Sequence, residues 1–331
     1  MSSESIVLSK KANHTSGTIK LTGSKSECNR ALILNALSKG TVKVENISSA
    51  DDTRILVESL REVKSGKWKV ESENPQSITH NLQLIDIGPA GTAMRFLTAY
   101  FAVTGTEVII TGTARMKQRP IGLLVDALRD LGAKVDYIEQ DGYPPLRFNK
   151  DFEQQKKRIT LKGDVSSQYI TALLLVAPTL PLGLELEIIG ELTSRPYVEM
   201  TLSMLKDTGI EFTWEDQTII IPPQSFNPST ITVEPDWSAA SYWYSIAALS
   251  DEAEITLPYL KQNSLQGDSK IAQIMNSFGI ETTFNAEGLR LVKRPITITQ
   301  KNFDFKDCPD LAQTVVVCCA ALGHNATFTG L

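Results

Sequence analysis

Four stretches that share one layout recur along this chain at a spacing of about 74 residues. They read GPAGTAMRFLTAYFA (88–102), GDVSSQYITALLLVA (163–177), PDWSAASYWYSIAAL (235–249) and PDLAQTVVVCCAAL (309–322), each passing from small or polar residues into a long apolar run. The length of the runs and their alanine and leucine content predict buried helices rather than strands. A short β-like segment follows each time: TEVIITG (106–112), LELEIIG (184–190), AEITLPY (253–259) and ATFTG (326–330). A second helix with 3.6-residue patterning is expected next, in RPIGLLVDALRDLGAKVDYI (119–138), RPYVEMTLSMLKDTGIEFTW (195–214) and GDSKIAQIMNSFGIETTF (267–284). The first two open with Arg-Pro, and proline suits a first helical turn because its missing N–H needs no partner there.

The repeating unit thus reads as helix, strand, helix, strand, strand. Units begin near 23, 88, 163, 235 and 308, with a shorter version over 23–63, and the fifth stops after its first strand. So few copies predict compact pseudo-symmetric domains rather than a solenoid. If units group in threes, a complete protein is expected to be longer by roughly 80 to 100 residues.

A chain of 331 residues is long enough for two cores. Its net charge of -5, from 33 Lys and Arg against 38 Asp and Glu, gives no electropositive field for nucleic acid or a membrane surface. Any anion site has to be local. The basic run QQKKRIT (154–160) reads as a solvated strand edge. Cys28, Cys308, Cys318 and Cys319 lack the paired spacing of a zinc or redox site and are expected to be free thiols. His14, His80 and His324 show no metal spacing, and Trp214, Trp237 and Trp243 read as core or interface residues. MSSESIVLSKK resembles neither a signal nor a transit peptide, and no stretch reaches the roughly 20 apolar residues of a membrane span, so a cytoplasmic protein is expected.

Short motifs sit at the unit entrances. GSKSECNRAL (23–32), AGTAMRF (90–96), RMKQRPIGLLVDALRDLGA (115–133), YPPL (143–146), GDVSSQY (163–169), TSRPYVEMT (193–201), NSLQGD (263–268) and PD (309–310) together resemble the 5-enolpyruvylshikimate-3-phosphate synthase family, from about Gly17 to Leu331. The resemblance implies an α/β (α+β) fold of two domains, each of three βαβαββ units, of which about four and a half of six are present here. Residues 21–234 are expected to form one whole domain. Residues 1–20 and 235–331 are expected to form an incomplete second domain carrying Asp310.

The implied reaction moves the enolpyruvyl group of phosphoenolpyruvate to the 5-hydroxyl of shikimate 3-phosphate, without metal or organic cofactor, in a monomer. Both substrates are small and multiply anionic, which suits helix N-termini and arginine forks. By resemblance, Lys25, Gly91, Arg95 and Arg119 contact phosphoenolpyruvate, and Ser26, Arg30, Ser166, Ser167, Gln168, Ser194 and Tyr197 contact shikimate 3-phosphate. Arg195 is placed near the phosphate with less support, since relatives often carry lysine there. Asp310 resembles the aspartate that binds the substrate hydroxyls and takes the 5-hydroxyl proton; from the residues alone it also reads as an N-cap for a helix starting at Leu311. Asp236, one period earlier, reads as structural.

The family's lysine- and glutamate-rich motif after the fifth unit's first strand lies beyond these positions. Weak ligand binding and poor turnover are therefore expected of residues 1–331 alone. Two alternatives are a related carboxyvinyl transferase acting on UDP-N-acetylglucosamine and a catalytically inactive anion-binding protein. The first usually carries a reactive cysteine in the loop that here reads GTARMKQRP (112–120) without one.

Overall fold

Apolar side chains all round a helix require neighbours on every side, and this rule arranges the molecule. The computed structural model describes residues 14–65 and 82–330; His80 and the first thirteen residues lie outside them. In chain order the elements run β1 (His14–Thr18), α1 (Lys25–Leu37), β2 (Val42–Glu45), α2 (Asp51–Ser65), β3 (Gln83–Asp86), α3 (Gly91–Thr104), β4 (Val108–Thr111), α4 (Gly122–Leu131), β5 (Val135–Tyr137) and β6 (Leu146–Phe148). Next come β7 (Arg158–Lys162), α5 (Ser167–Val176), β8 (Leu184–Ile189), α6 (Arg195–Asp207), β9 (Thr213–Glu215), β10 (Thr218–Ile221) and β11 (Ser229–Thr232). The last group is α7 (Trp237–Leu249), β12 (Glu252–Pro258), α8 (Ile271–Ile274), β13 (Ile280–Asn285), β14 (Gly288–Lys293), β15 (Asn302–Asp304), α9 (Ala312–Ala321) and β16 (Thr327–Thr329).

Three four-stranded sheets share one topology: β3-β4-β6-β5, β7-β8-β10-β9 and β1-β12-β14-β13. In each, two parallel strands are followed by an antiparallel pair, so the unit is βαβαββ, with a helix joining the parallel strands in the first two sheets and the whole Thr22–Val233 stretch also lying between β1 and β12 in the third. The periodicity reading started each unit at its helix and missed the leading strand. Those strands are short and precede the apolar run, so the pattern gives them little weight. Two strands complete units that begin elsewhere in sequence: β11 pairs in parallel with β2, and β1 with β12. β15 and β16 form a further parallel pair around α9.

The chain path divides into two units, one of Thr22–Val233 and one of the residues up to Leu21 and from Glu234 onward. Within the first, α5 buries every residue from Tyr169 to Val176, and α1 and α3 bury most of theirs. α4 and α6 instead show one apolar stripe, the mark of an outer helix. The second unit has its own core around Trp237, Tyr244, Phe278, Phe303 and Phe305. On α7 and α9, Tyr242, Ile246, Val316 and Val317 are exposed. β7, which carries the end of the basic run, is an edge strand with Arg158, Thr160 and Lys162 exposed. All four cysteines are free and buried. Among the described residues no helix is long and apolar enough to cross a membrane.

Two helix expectations need correction. Pro120 does not open α4: Met116–Gln118 forms a 3-10 turn, Arg119 is extended, and the helix begins at Gly122. The Ile121 N–H donates to Gly142 O at 2.9 Å, which holds the connecting segment against the loop ahead of β6 and delays winding. The helix expected in 267–284 is a 3-10 turn (Gly267–Lys270) and the single turn α8. Its start is held by buried Gln266 and Asp268, and Gly279 at φ 79° turns the chain soon after, leaving few residues to wind.

The end of α4 shows a glycine requirement that local sequence alone only suggests. Gly132 caps the helix at φ 112°, and a Cβ there would strike Glu153 O and lie 3.0 Å from Gln155 Cγ. Strain and collision act together. Gly132→Ala is expected to lower unfolding free energy by about 2 kcal/mol or more, read as a lower urea midpoint.

Candidate functional site

Four helix starts in the Thr22–Val233 unit carry the residues singled out by the motifs. Ser24 caps α1 by accepting from Glu27 N, placing Lys25 and Ser26 in the first turn with Lys25 exposed. Ser166 caps α5 by accepting from Gln168 N at 3.4 Å. Ala90 stands at the cap of α3 and brings no side-chain acceptor for the first N–H groups of that helix. Ser194 precedes α6 in the left-handed region at φ 54°, a conformation that costs a non-glycine residue about 1 kcal/mol or more. The turn is held by Thr193, whose backbone N–H and hydroxyl both reach Gly163 O, at 3.0 and 3.2 Å. That bond draws the 193–197 turn to the 163–168 turn.

One cluster joins α3, α5 and the Arg119 segment. Gln168 Nε2 donates to Thr92 Oγ1 at 3.3 Å, tying the first turns of α5 and α3. The Arg119 guanidinium lies over Gly91, with Cζ 2.9 Å from where a Cβ would stand. A side chain at residue 91 would displace this guanidinium from its place over the start of α3. Arg95 is 4% exposed and spends its Nη1 on Gly91 O (3.2 Å) and Met116 Sδ (3.7 Å) and its Nη2 on Pro120 O (3.1 Å). Its Nε is buried without a partner. Burial, and then the like charge of Arg119, pull the Arg95 pKa below the ordinary arginine value, with Tyr169 acting in the opposite direction. Tyr169 also donates to Pro120 O at 2.6 Å, fixing the segment that carries Arg119. Among the described residues, no carboxylate forms an ion pair with Arg95 or Arg119. Two cations converge there with one donor unsatisfied.

A second cluster surrounds Arg30, which is 3% exposed. Its Nε donates to Thr201 Oγ1 (2.9 Å), Nη1 to Ser26 O (2.7 Å), and Nη2 to Thr171 Oγ1 and Tyr197 O (both 3.3 Å). The guanidinium also packs 5.6 Å from the ring centroids of Phe96 and Tyr197. Burial pulls its pKa down to about 10. Four of its five N–H groups point inward, so Arg30 joins α1, α5 and α6 more than it faces solvent. A buried guanidinium needs acceptors, and Arg30 finds most of its own within the protein. Arg195 Nε binds Glu199 at 2.7 Å and its guanidinium stacks on Trp214 at 4.5 Å, so it lies along α6.

In the other unit, the two Pro-Asp pairs do different jobs. Asp236 is the N-cap of α7 and accepts from Ala239 N at 3.1 Å. Asp310 is exposed within the 3-10 turn Pro309–Leu311, which runs into α9 at Ala312. It is inside the turn, so the N-cap reading for a helix at Leu311 is replaced. Thr92, Tyr169, Thr171 and Thr201 were not singled out from sequence. All lie inside quoted motifs or one turn beyond, but their role depends on helices that meet only in space.

A family model described as EPSP synthase (3-phosphoshikimate 1-carboxyvinyltransferase) matches residues 9–331. The 3-phosphoshikimate 1-carboxyvinyltransferase of Bacteroides fragilis (strain YCH46) is 48% identical over 315 residues, 95% of this chain and 72% of the relative. That of Haemophilus influenzae is 38% identical over 315 residues, covering 90% and 71%. Among solved structures, an EPSP synthase from Acinetobacter baumannii shares the fold with TM-score 0.69 and 18% identity over 92% of this chain and 71% of that one. The enolpyruvyl transferase NikO from Streptomyces tendae gives TM-score 0.58 at 17% identity, covering 93% and 73%. Motif order, repeat topology and these similarities agree: the chain belongs to the EPSP synthase (3-phosphoshikimate 1-carboxyvinyltransferase) family.

Proposed function

We propose that the Arg95–Arg119 cluster is the phosphoenolpyruvate site of an enolpyruvyl transferase acting on shikimate 3-phosphate. The observation that carries this reading is the pair of converging guanidiniums, one with a buried donor left over and neither paired with a carboxylate among the described residues. A planar carboxylate or a phosphate supplies the missing acceptor and offsets the repulsion. Lys25 adds a point charge, and the Gly91 backbone allows close approach. Ser166, Ser167, Gln168, Ser194, Tyr197 and Ser26 are assigned to shikimate 3-phosphate, whose phosphate suits hydroxyls at helix starts. Arg30 holds Ser26 and Tyr197 in place, with one N–H to spare. Asp310 is assigned the 5-hydroxyl proton.

In the family reaction, the 5-hydroxyl oxygen bonds to the phosphate-bearing carbon of phosphoenolpyruvate while its methylene carbon gains a proton. The tetrahedral adduct then loses inorganic phosphate, and loss of a proton from the new methyl group restores the double bond. Fixed cations stabilise the anionic groups in both steps, without reorganising as charge moves. The buried free thiols accord with a reducing compartment, and we place the protein in the cytoplasm.

Arg119→Ala is expected to weaken phosphoenolpyruvate binding about 30- to 100-fold, the loss of a charge-assisted fork, by titration calorimetry. The same variant is expected to melt no lower than the parent, since Arg95 is relieved of a like charge. Unchanged affinity sinks the assignment of this cluster. Turnover with both substrates separates the transferase from a passive anion binder. Arg30→Lys is expected to cost about 2–3 kcal/mol of stability, because Thr171, Thr201 and Tyr197 O lose the planar fork that bridges them; chemical denaturation measures it.

A further inference from the structure

NSLQGD (263–268) marks the family but has no role in the clusters above. In the structure it is built into the start of α7. Gln266 Oε1 accepts from Trp237 N at 3.0 Å, and its Nε2 donates to Pro235 O at 2.8 Å. Ser264 Oγ donates to Glu234 Oε2 at 2.6 Å. Asp268 is 3% exposed, its Oδ2 is hydrogen-bonded to Ser238 Oγ, and its Oδ1 is buried without a partner. Beyond Ser238 the line continues: Ser241 Oγ donates to Ser238 O at 2.6 Å and meets Thr314 Oγ1 of α9 at 2.9 Å. Thr314 stands one helical turn after Asp310. Asp268 therefore connects the 3-10 turn at 267 to the helix that Asp310 leads into.

We propose that Asp268 is a positioning residue for Asp310, acting through the Ser238–Ser241–Thr314 line and through its own buried carboxyl. The proposal rests on the role given to Asp310 above. The charged and titratable groups around Asp268 are Asp236 at the start of α7, Asp310 ahead of α9, and Cys308. Lys270, on the same 3-10 turn, pairs with Asp307 at 2.7 Å. Burial lifts the Asp268 carboxyl to about 7; the Ser238 bond opposes this, and Asp310 and then Asp236 add to it. Below about pH 7 the neutral carboxyl donates or accepts a hydrogen bond without placing another negative charge beside Asp310. As pH rises through about 7 it ionises, and the electrostatic setting of Asp310 changes with it.

Carboxyl-carbon NMR on the protein labelled at aspartate tests this, beside shikimate 3-phosphate calorimetry, on the parent, Asp268→Asn, Ser238→Ala and Asp310→Asn. A resonance titrating near pH 7 is expected to vanish in Asp268→Asn and to move to lower pH in Asp310→Asn. Calorimetry is expected to show the parent's affinity for shikimate 3-phosphate falling about tenfold as pH rises above 7, Asp268→Asn escaping that fall, and Ser238→Ala binding more weakly at every pH. The melting temperature is a further readout. With its folded pKa above the unfolded value of about 3.9, Asp268 contributes stability that is complete below pH 4 and lost as pH rises through 7. Asp268→Asn is expected to flatten that fall. An Asp268 carboxyl titrating in the ordinary carboxylate range, or unmoved by Asp310→Asn, overturns the proposal, as does unchanged affinity in both Asp268→Asn and Ser238→Ala. If Asp310→Asn alone leaves affinity and turnover intact, the role of Asp310 fails, and the NMR coupling still reports on Asp268 separately.

Discussion

Helices that are apolar on every side cannot stand at a surface, and the first structural unit is organised around that constraint. α5 buries each residue from Tyr169 to Val176, and α1 and α3 are nearly as enclosed. A sheet covers such a helix on one side only, so each βαβαββ unit needs the inner helices of its neighbours. Packing these helices together brings their first turns close, as the Gln168–Thr92 bond and the Thr193–Gly163 bonds record. The positive ends of the helix dipoles then gather on one side without any basic patch in the composition. A chain of net charge -5 thereby gathers locally positive backbone ends, at which the proposed anion site lies.

Buried arginines show two answers to one physical problem. Arg30 meets the cost of burial with Ser26 O, Tyr197 O, Thr171 and Thr201, and becomes a clamp between three helices. Arg95 has acceptors for its two terminal nitrogens but none for Nε, and it faces another cation. The first arrangement is closed, whereas the second is left short of negative charge. That difference, more than the presence of arginine, is what the proposed phosphoenolpyruvate site rests on.

Much of the architecture was legible from periodicity. The long apolar runs are helices, TEVIITG and LELEIIG contain β4 and β8, and the βαβαββ unit implied by resemblance is the observed one. The leading strands escaped the period because four residues such as QLID (83–86) carry too little pattern. The Arg-Pro pairs looked equivalent in sequence, but only Arg195-Pro196 opens a helix, since Ile121 bonds to Gly142 in a distant loop. The two Pro-Asp pairs diverged likewise: Asp236 caps α7, while Asp310 lies inside its turn.

The sequence by itself determined the repeat, the long apolar helices at its entrances, and which residue types stand there, because these follow from local spacing and side-chain chemistry. Only the tertiary structure decided which cations are satisfied. Whether Arg30 finds Thr171 and Thr201, or Arg95 is left beside Arg119, depends on partners far away in the chain, as does the bond between Asp268 and Ser238. The cost of burying a charge is fixed by its surroundings, and surroundings exist only once the helices have packed.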